Sequence, residues 1–88
     1  MKLLNLSKNK IGDEGTKQLA ETHFPNLTTL LLAENQIGDE GAKALAQSVN
    51  MPQLTCLNID RNYFITPEGA EYFSDCKYEV VMQSIPIF

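Results

Sequence analysis

The chain repeats itself, and that constrains its fold more tightly than any other property. A unit of under about thirty residues cannot bury an apolar face alone and must stack on its neighbours. The run Leu4-Asn5-Leu6-Ser7-Lys8-Asn9-Lys10-Ile11-Gly12-Asp13-Glu14-Gly15 returns 26 positions later as Leu30-Leu31-Leu32-Ala33-Glu34-Asn35-Gln36-Ile37-Gly38-Asp39-Glu40-Gly41. A third copy, Leu57-Asn58-Ile59-Asp60-Arg61-Asn62-Tyr63-Phe64, follows 27 positions on and continues, with one residue inserted, through Thr66-Pro67-Glu68-Gly69-Ala70. A fainter fourth copy places Met82, Ile85 and Ile87 at the spacing of Leu54, Leu57 and Ile59. The spacing predicts one domain of three strand-helix units, 1–26, 27–53 and 54–81, with a closing strand at 82–88.

Side chains along a strand alternate between faces, so Leu4 and Leu6, Leu30 and Leu32, Leu57 and Ile59, and Ile85 and Ile87 are expected to point into the core. Asn9, Asn35 and Asn62 recur where the chain leaves each strand, and their amides suit a ladder of bonds to the backbone of neighbouring coils. Ile11, Ile37 and Phe64 are expected to plug the core beneath that turn. Asp13, Asp39 and Thr66 read as N-caps of the following helices, with Pro67 in the first helical position. Gly15, Gly41 and Gly69 are expected to let helix and strand approach closely. The inward helical stripe is read as Leu19 and Ala20, then Leu45, Ala46 and Val49, then Tyr72 and Phe73.

This pattern of leucines, a turn asparagine and Gly-Asp-Glu-Gly resembles the leucine-rich repeats of the ribonuclease-inhibitor-like class, which NOD-like receptors and Ran GTPase-activating proteins share. The resemblance covers essentially all of residues 1–88. It implies an α/β solenoid, a short right-handed horseshoe segment with parallel strands on the concave face and helices on the convex face. It also implies a scaffold that binds another protein through the concave face. Regulation of a small GTPase is the alternative the family implies, and a self-assembling fragment of a longer repeat protein is a third.

Composition removes several other classes. With 7 basic and 11 acidic residues among 88 the net charge is −4, and the cations are scattered singly, which argues against nucleic acid. The apolar runs Leu30–Ala33 and Val80–Met82 fall far short of the roughly 18 residues of a membrane span. No secretory signal pattern opens the chain, so a cytoplasmic location is expected. Asp13-Glu14 and Asp39-Glu40 resemble paired catalytic carboxylates, but their repetition at equivalent helix starts fits a structural role. The stretch from Asp60 to Glu71 superficially fits a calcium loop, except that Phe64 and Ile65 stand where an oxygen ligand and a glycine are needed. Cys56, Cys76 and His23 share no CxxC-type spacing and are fewer than the about four ligands of a structural zinc site, and no nucleophile elbow or Gly-rich phosphate loop is present. No enzyme activity, cofactor or metal is expected.

The positions left for function are those facing out of the sheet. Across the stack they form rows: Leu3, Thr29, Cys56 and Ser84; Asn5, Leu31, Asn58 and Pro86; Ser7, Ala33, Asp60 and Phe88; and Lys8, Glu34 and Arg61, which alternate in sign. The candidate protein-binding residues are therefore Asn5, Ser7, Lys8, Thr29, Leu31, Ala33, Glu34, Cys56, Asn58, Asp60 and Arg61, with Leu31 as the apolar anchor. Pro86 is expected to close one end of the sheet, whereas the first strand presents an open edge through which the chain could pair with a second copy.

Overall fold

Leucine alternation and short turn-rich connections produce four very short strands, each returned to the sheet by a helix. In a computed structural model, which describes residues 1–83, the order is β1 (Leu3–Asn5), α1 (Gly12–Glu21), β2 (Thr29–Leu31), α2 (Asp39–Gln47), β3 (Cys56–Asn58), α3 (Pro67–Glu71) and β4 (Glu79–Val81). All strands are parallel and neighbours in the sheet are neighbours in sequence, β1-β2-β3-β4. Each helix supplies the crossover a parallel pair requires, so the α/β solenoid follows from the repeat.

Leu27, Leu30, Leu32, Ile37, Leu57 and Ile59 are fully buried between sheet and helices. Thr16, Ala20, Ala42, Leu45, Ala70 and Phe73 close the core from the helical side. The equivalents in the first unit, Leu4, Leu6 and Ile11, are only half-buried, because no earlier coil covers them among the described residues.

The asparagine ladder is present. Asn62 Oδ1 accepts the N–H groups of Asn35 (2.8 Å) and Ile37 (3.0 Å), while its Nδ2 donates to the carbonyls of Leu32 (2.9 Å) and Ile59 (2.8 Å). Asn35 repeats this one unit earlier, accepting from Asn9 (2.8 Å) and Ile11 (3.3 Å) and donating to Leu6 (2.8 Å). Each amide thus holds the turn of the unit before it. Two fully buried polar side chains are tolerated because all their hydrogen-bonding atoms are used.

The helix starts differ from expectation. Among the described residues no helix is capped by the side chain of its own N-cap residue. Asp13 lies inside α1, and its Oδ1 accepts the N–H groups of Gly38 (2.7 Å) and Gly41 (2.9 Å), the opening of α2. Asp39 likewise accepts the Thr66 N–H (2.7 Å) and hydroxyl (2.6 Å) at the start of α3. The aspartates therefore cap the next unit. This accounts for two of the recurring glycines: a Cβ at Gly41 would lie 2.7 Å from Asp13 Oδ1, and one at Gly69 would collide with the Asp39 carboxylate, whereas at Gly15 a Cβ would meet the Ile11 side chain. Helix C-termini are tied across units as well, since Ser48 Oγ (2.6 Å) and Asn50 Nδ2 (3.0 Å) both donate to the Ala20 carbonyl.

Three inward positions also differ. Val49 and Tyr72 are exposed, and so is Phe64, whose expected place in the core is taken by Ile65. With one extra residue after Asn62, Thr66 becomes the equivalent of Gly38, because the N–H of each donates to the aspartate of the preceding unit. Ile65 then falls where Ile37 sits. The closing strand is also displaced. Helix α3 has five residues and ends in a run of tight turns through Phe73 and Cys76, so Val80, not Ile85, stands opposite Leu57. Opposite Cys56 and Asn58 are Glu79 and Val81. Ser84, Ile85, Pro86, Ile87 and Phe88, which carried most of the expected closing strand and its cap, lie outside the described residues.

Candidate interaction surface

The sheet's register assembles two of the expected outward rows. Thr29 pairs with Leu3 on one side and Cys56 on the other, and Leu31 pairs with Asn5 and Asn58. Beyond the strands, Ser7, Ala33 and Asp60 stay aligned, since the Lys8 N–H donates to Ala33 O (2.9 Å) and the Glu34 N–H to Asp60 O (3.1 Å). Asn5 and Asn58 use Oδ1 to accept the N–H of Ser7 (3.1 Å) and Asp60 (2.9 Å), which stiffens the exit from the first and third strands. Leu31, expected to be the exposed anchor, is half-buried. Leu3 carries the larger exposed apolar surface on this face, at 55%.

The charge row forms in part. Arg61 Nη1 lies 3.2 Å from Glu34 Oε1, whereas Lys8 makes no ion pair with Glu34 among the described residues. Both partners of the pair are substantially exposed, so it contributes about 1 kcal/mol at most. Lys8, Glu34 and Arg61 share a second property that the sequence conceals. All three adopt left-handed backbone, at φ 63°, 55° and 58°, and so do Lys10 and Gln36 at 52° and 60°. Non-glycine residues pay roughly 1–2 kcal/mol for that conformation, and the ladder bonds to Asn35 and Asn62 hold it in place around Lys8, Lys10, Glu34 and Gln36.

These five side chains project onto the rim above the C-terminal ends of the strands. Together with Tyr63 and Phe64 they line an open cleft of about 440 Å³. Sequence reasoning placed Lys8, Glu34 and Arg61 at the sheet surface but missed Lys10, Gln36, Tyr63 and Phe64. The signal was the inserted residue after Asn62, which leaves one more side chain than the core can take.

Elsewhere several of the titratable groups serve the fold. Asp13 and Asp39 are occupied by backbone amides, and Lys17 lies 3.5 Å from Glu14 and 3.9 Å from Glu40 across two helices. Burial, and then a hydrogen bond with Cys76, push the Tyr78 phenol well above the usual tyrosine range. Cys56 and Cys76 are free thiols, and His23 is exposed in the turn between α1 and β2. Among the described residues no three His, Cys, Asp or Glu side chains converge on a common point. None of the helices described there is long and apolar enough to cross a membrane.

A parallel sheet tied by an asparagine ladder, with leucines inside and a polar, partly apolar outer face, defines a repeat solenoid of the kind that generally mediates protein interaction. The chain belongs to the leucine-rich repeat family, which matches it over residues 1–20, 23–46 and 50–74. No curated protein and no solved structure gives a significant match to it.

Proposed function

We propose that this leucine-rich repeat chain is a non-catalytic module of the ribonuclease-inhibitor-like class that binds another protein across its concave sheet face. The observation that carries the reading is the aligned outward surface of Thr29, Leu31, Cys56 and Asn58, flanked by exposed Leu3 and bordered by Ser7, Ala33 and Asp60. Its backbone is set by the sheet register and by the ladder in the turns beyond it, so a partner would meet a preformed surface. Asp13 and Asp39, one member of each carboxylate pair, are already bonded to helix starts. Cytoplasmic residence is part of the proposal and is supported by the two free thiols. Arg61, the chain's one arginine, is engaged with Glu34, and no observation favours the GTPase-regulator alternative.

The test is site-specific photocrosslinking in cells, with the photoreactive group placed at Leu31, at Asn58, or at exposed Gln47 on the helical side. Adducts with the same protein from Leu31 and Asn58, and none from Gln47, support the sheet face. Equal or preferential adducts from Gln47 would refute it.

One observation favours a second reading, self-association through β1. In this register the N–H and C=O groups of Leu3 and Asn5 point away from β2 and have no backbone partner among the described residues. Asn5→Pro removes one of those donors without touching the β1-β2 ladder. If the chain dimerises by this edge, light scattering of the wild type shows mass rising with concentration and the variant does not. A dimer unchanged by the substitution would sink the idea.

A further inference from the structure

We propose that the rim cleft formed by Tyr63, Phe64, Lys8 and Lys10 docks an acidic segment of a partner protein, seating one apolar side chain of that segment on the two aromatic rings. The site is separate from the strand rows of the sheet face, and the inference stands whether or not that face binds anything.

The first argument is that the fold does not need Tyr63 and Phe64 where they are. In the second unit a single Gln36 spans the turn between Asn35 and the buried Ile37. The third unit carries two residues there, and Ile65 fills the buried place, leaving Tyr63 and Phe64 exposed at 74% and 66%. A single loose side chain after Asn62 would satisfy the turn equally well if it were polar. Two adjacent exposed rings form instead an apolar platform at the mouth of a concave site, the arrangement in which aromatic anchors contribute most to binding.

The second argument is charge. The chain as a whole is at −4, but its rim carries Lys8, Lys10 and Arg61 against Glu34 alone. Glu34 is held by Arg61 at 3.2 Å. Lys8 and Lys10 make no ion pair among the described residues, and both line the cleft together with the two rings. A locally positive rim on an acidic molecule selects against basic partners and steers carboxylates toward the rings.

The third argument is rigidity. Five of the seven lining residues are in left-handed backbone, and their turns are bonded to Asn35 and Asn62. The backbone that carries Lys8, Lys10, Glu34 and Gln36 is thus set before anything binds, which lowers the ordering cost of association. An acidic peptide fits better than a phosphate backbone, because two free lysines neutralise too few phosphates and the apolar rings would be left uncovered by a duplex.

The test is a selection of random dodecapeptides on the whole 88-residue chain, followed by fluorescence titration of the enriched sequences. Enriched peptides should be rich in Asp and Glu around one Leu, Ile, Phe or Met. Their affinity should fall about tenfold or more with Phe64→Ser and with the pair Lys8→Glu and Lys10→Glu, and several-fold when salt rises from about 50 to 500 mM. The melting temperature of these variants should stay at the wild-type value, because all three positions are exposed. Leu31→Asp, on the sheet face, should leave peptide affinity unchanged, so that failure of the rim and failure of the sheet face are read separately. No acidic enrichment would overturn the proposal, as would peptide binding indifferent to the rim variants. Equal binding of a short oligonucleotide, or a concentration-dependent dimer abolished by Phe64→Ser, would assign the rim to a different partner and likewise overturn it.

Discussion

The first and second repeats carry the same run, Ile-Gly-Asp-Glu-Gly, and end up in different states. In the second, Gly38 is extended, its N–H held by Asp13, and Ile37, Leu30 and Leu32 are fully buried. In the first, Gly12 turns to φ +69°, its N–H reaches forward to Asn35 O (2.8 Å), and Ile11, Leu4 and Leu6 are half-buried. The local sequence is constant, so the difference comes from the neighbour. A preceding coil supplies the aspartate that caps the helix and half of the surface that covers the leucines. Stability in such a stack is a property of the junctions between units more than of the units.

Paired substitutions can break or sharpen this comparison. The largest contrast should come from the ladder. Asn35→Ala removes the acceptor of two backbone N–H groups and one of the two donors to the Leu6 carbonyl inside the stack, and should cost about 4 kcal/mol in urea unfolding. Asn9→Ala loses only bonds to Leu6 O and Ser7 O at the exposed edge and should cost about 1 kcal/mol. Next, Leu30→Ala in the buried strand should cost about 3 kcal/mol, against roughly half that for Leu4→Ala. Equal losses within either pair would mean that position in the stack does not matter.

Helix capping should be weaker and directional. Asp13→Ala should destabilise by about 1–2 kcal/mol, and hydrogen exchange should show the loss at Gly38 and Gly41, not in α1. Glu14→Ala next to it should change little, because its pairing with Lys17 is exposed. Fraying of α1 in the Asp13 variant would show that the aspartate caps its own helix after all.

The smallest effect lies at the other end of the stack. Tyr78 keeps its proton in the fold to higher pH than in the unfolded chain, where it ionises near 10. The folded state then binds more protons than the unfolded one, so this group's contribution is complete below pH 10 and declines above it. Urea midpoints measured between about pH 9 and 11 should fall, and Tyr78→Phe should flatten that part of the profile.

These junctions explain what was legible in the sequence. The leucine spacing and the turn asparagines are local, repeated signals, and both the solenoid and the ladder follow from them directly. The role of Asp13 is not local. At a helix start it reads as that helix's own cap, and only the stacking distance between coils shows that its carboxylate reaches Gly38. The companion Gly41 is then a vacated space for an oxygen, not a point of helix-strand contact. The inserted residue of the third unit admits either Phe64 or Ile65 as the core plug by spacing alone. Burial selects Ile65, and the two aromatics that result on the rim were invisible for that reason. Val80 displaced Ile85 because the alternating run gives no hint that α3 stops after five residues. The outward rows depended only on register, which two nearly identical units specify well.

The most direct measurement is residue-resolved amide hydrogen exchange of the 88-residue chain at a dilution where light scattering reports a monomer. Leu3, Thr29 and Cys56 occupy one row of the sheet, and the Thr29 and Cys56 N–H groups donate to Lys2 O (2.9 Å) and Thr28 O (3.1 Å) of the preceding unit. The neighbour account predicts strong protection at Thr29 and Cys56 and near-free exchange at Leu3. Protection of Leu3 equal to that of Thr29 in the dilute monomer would contradict it.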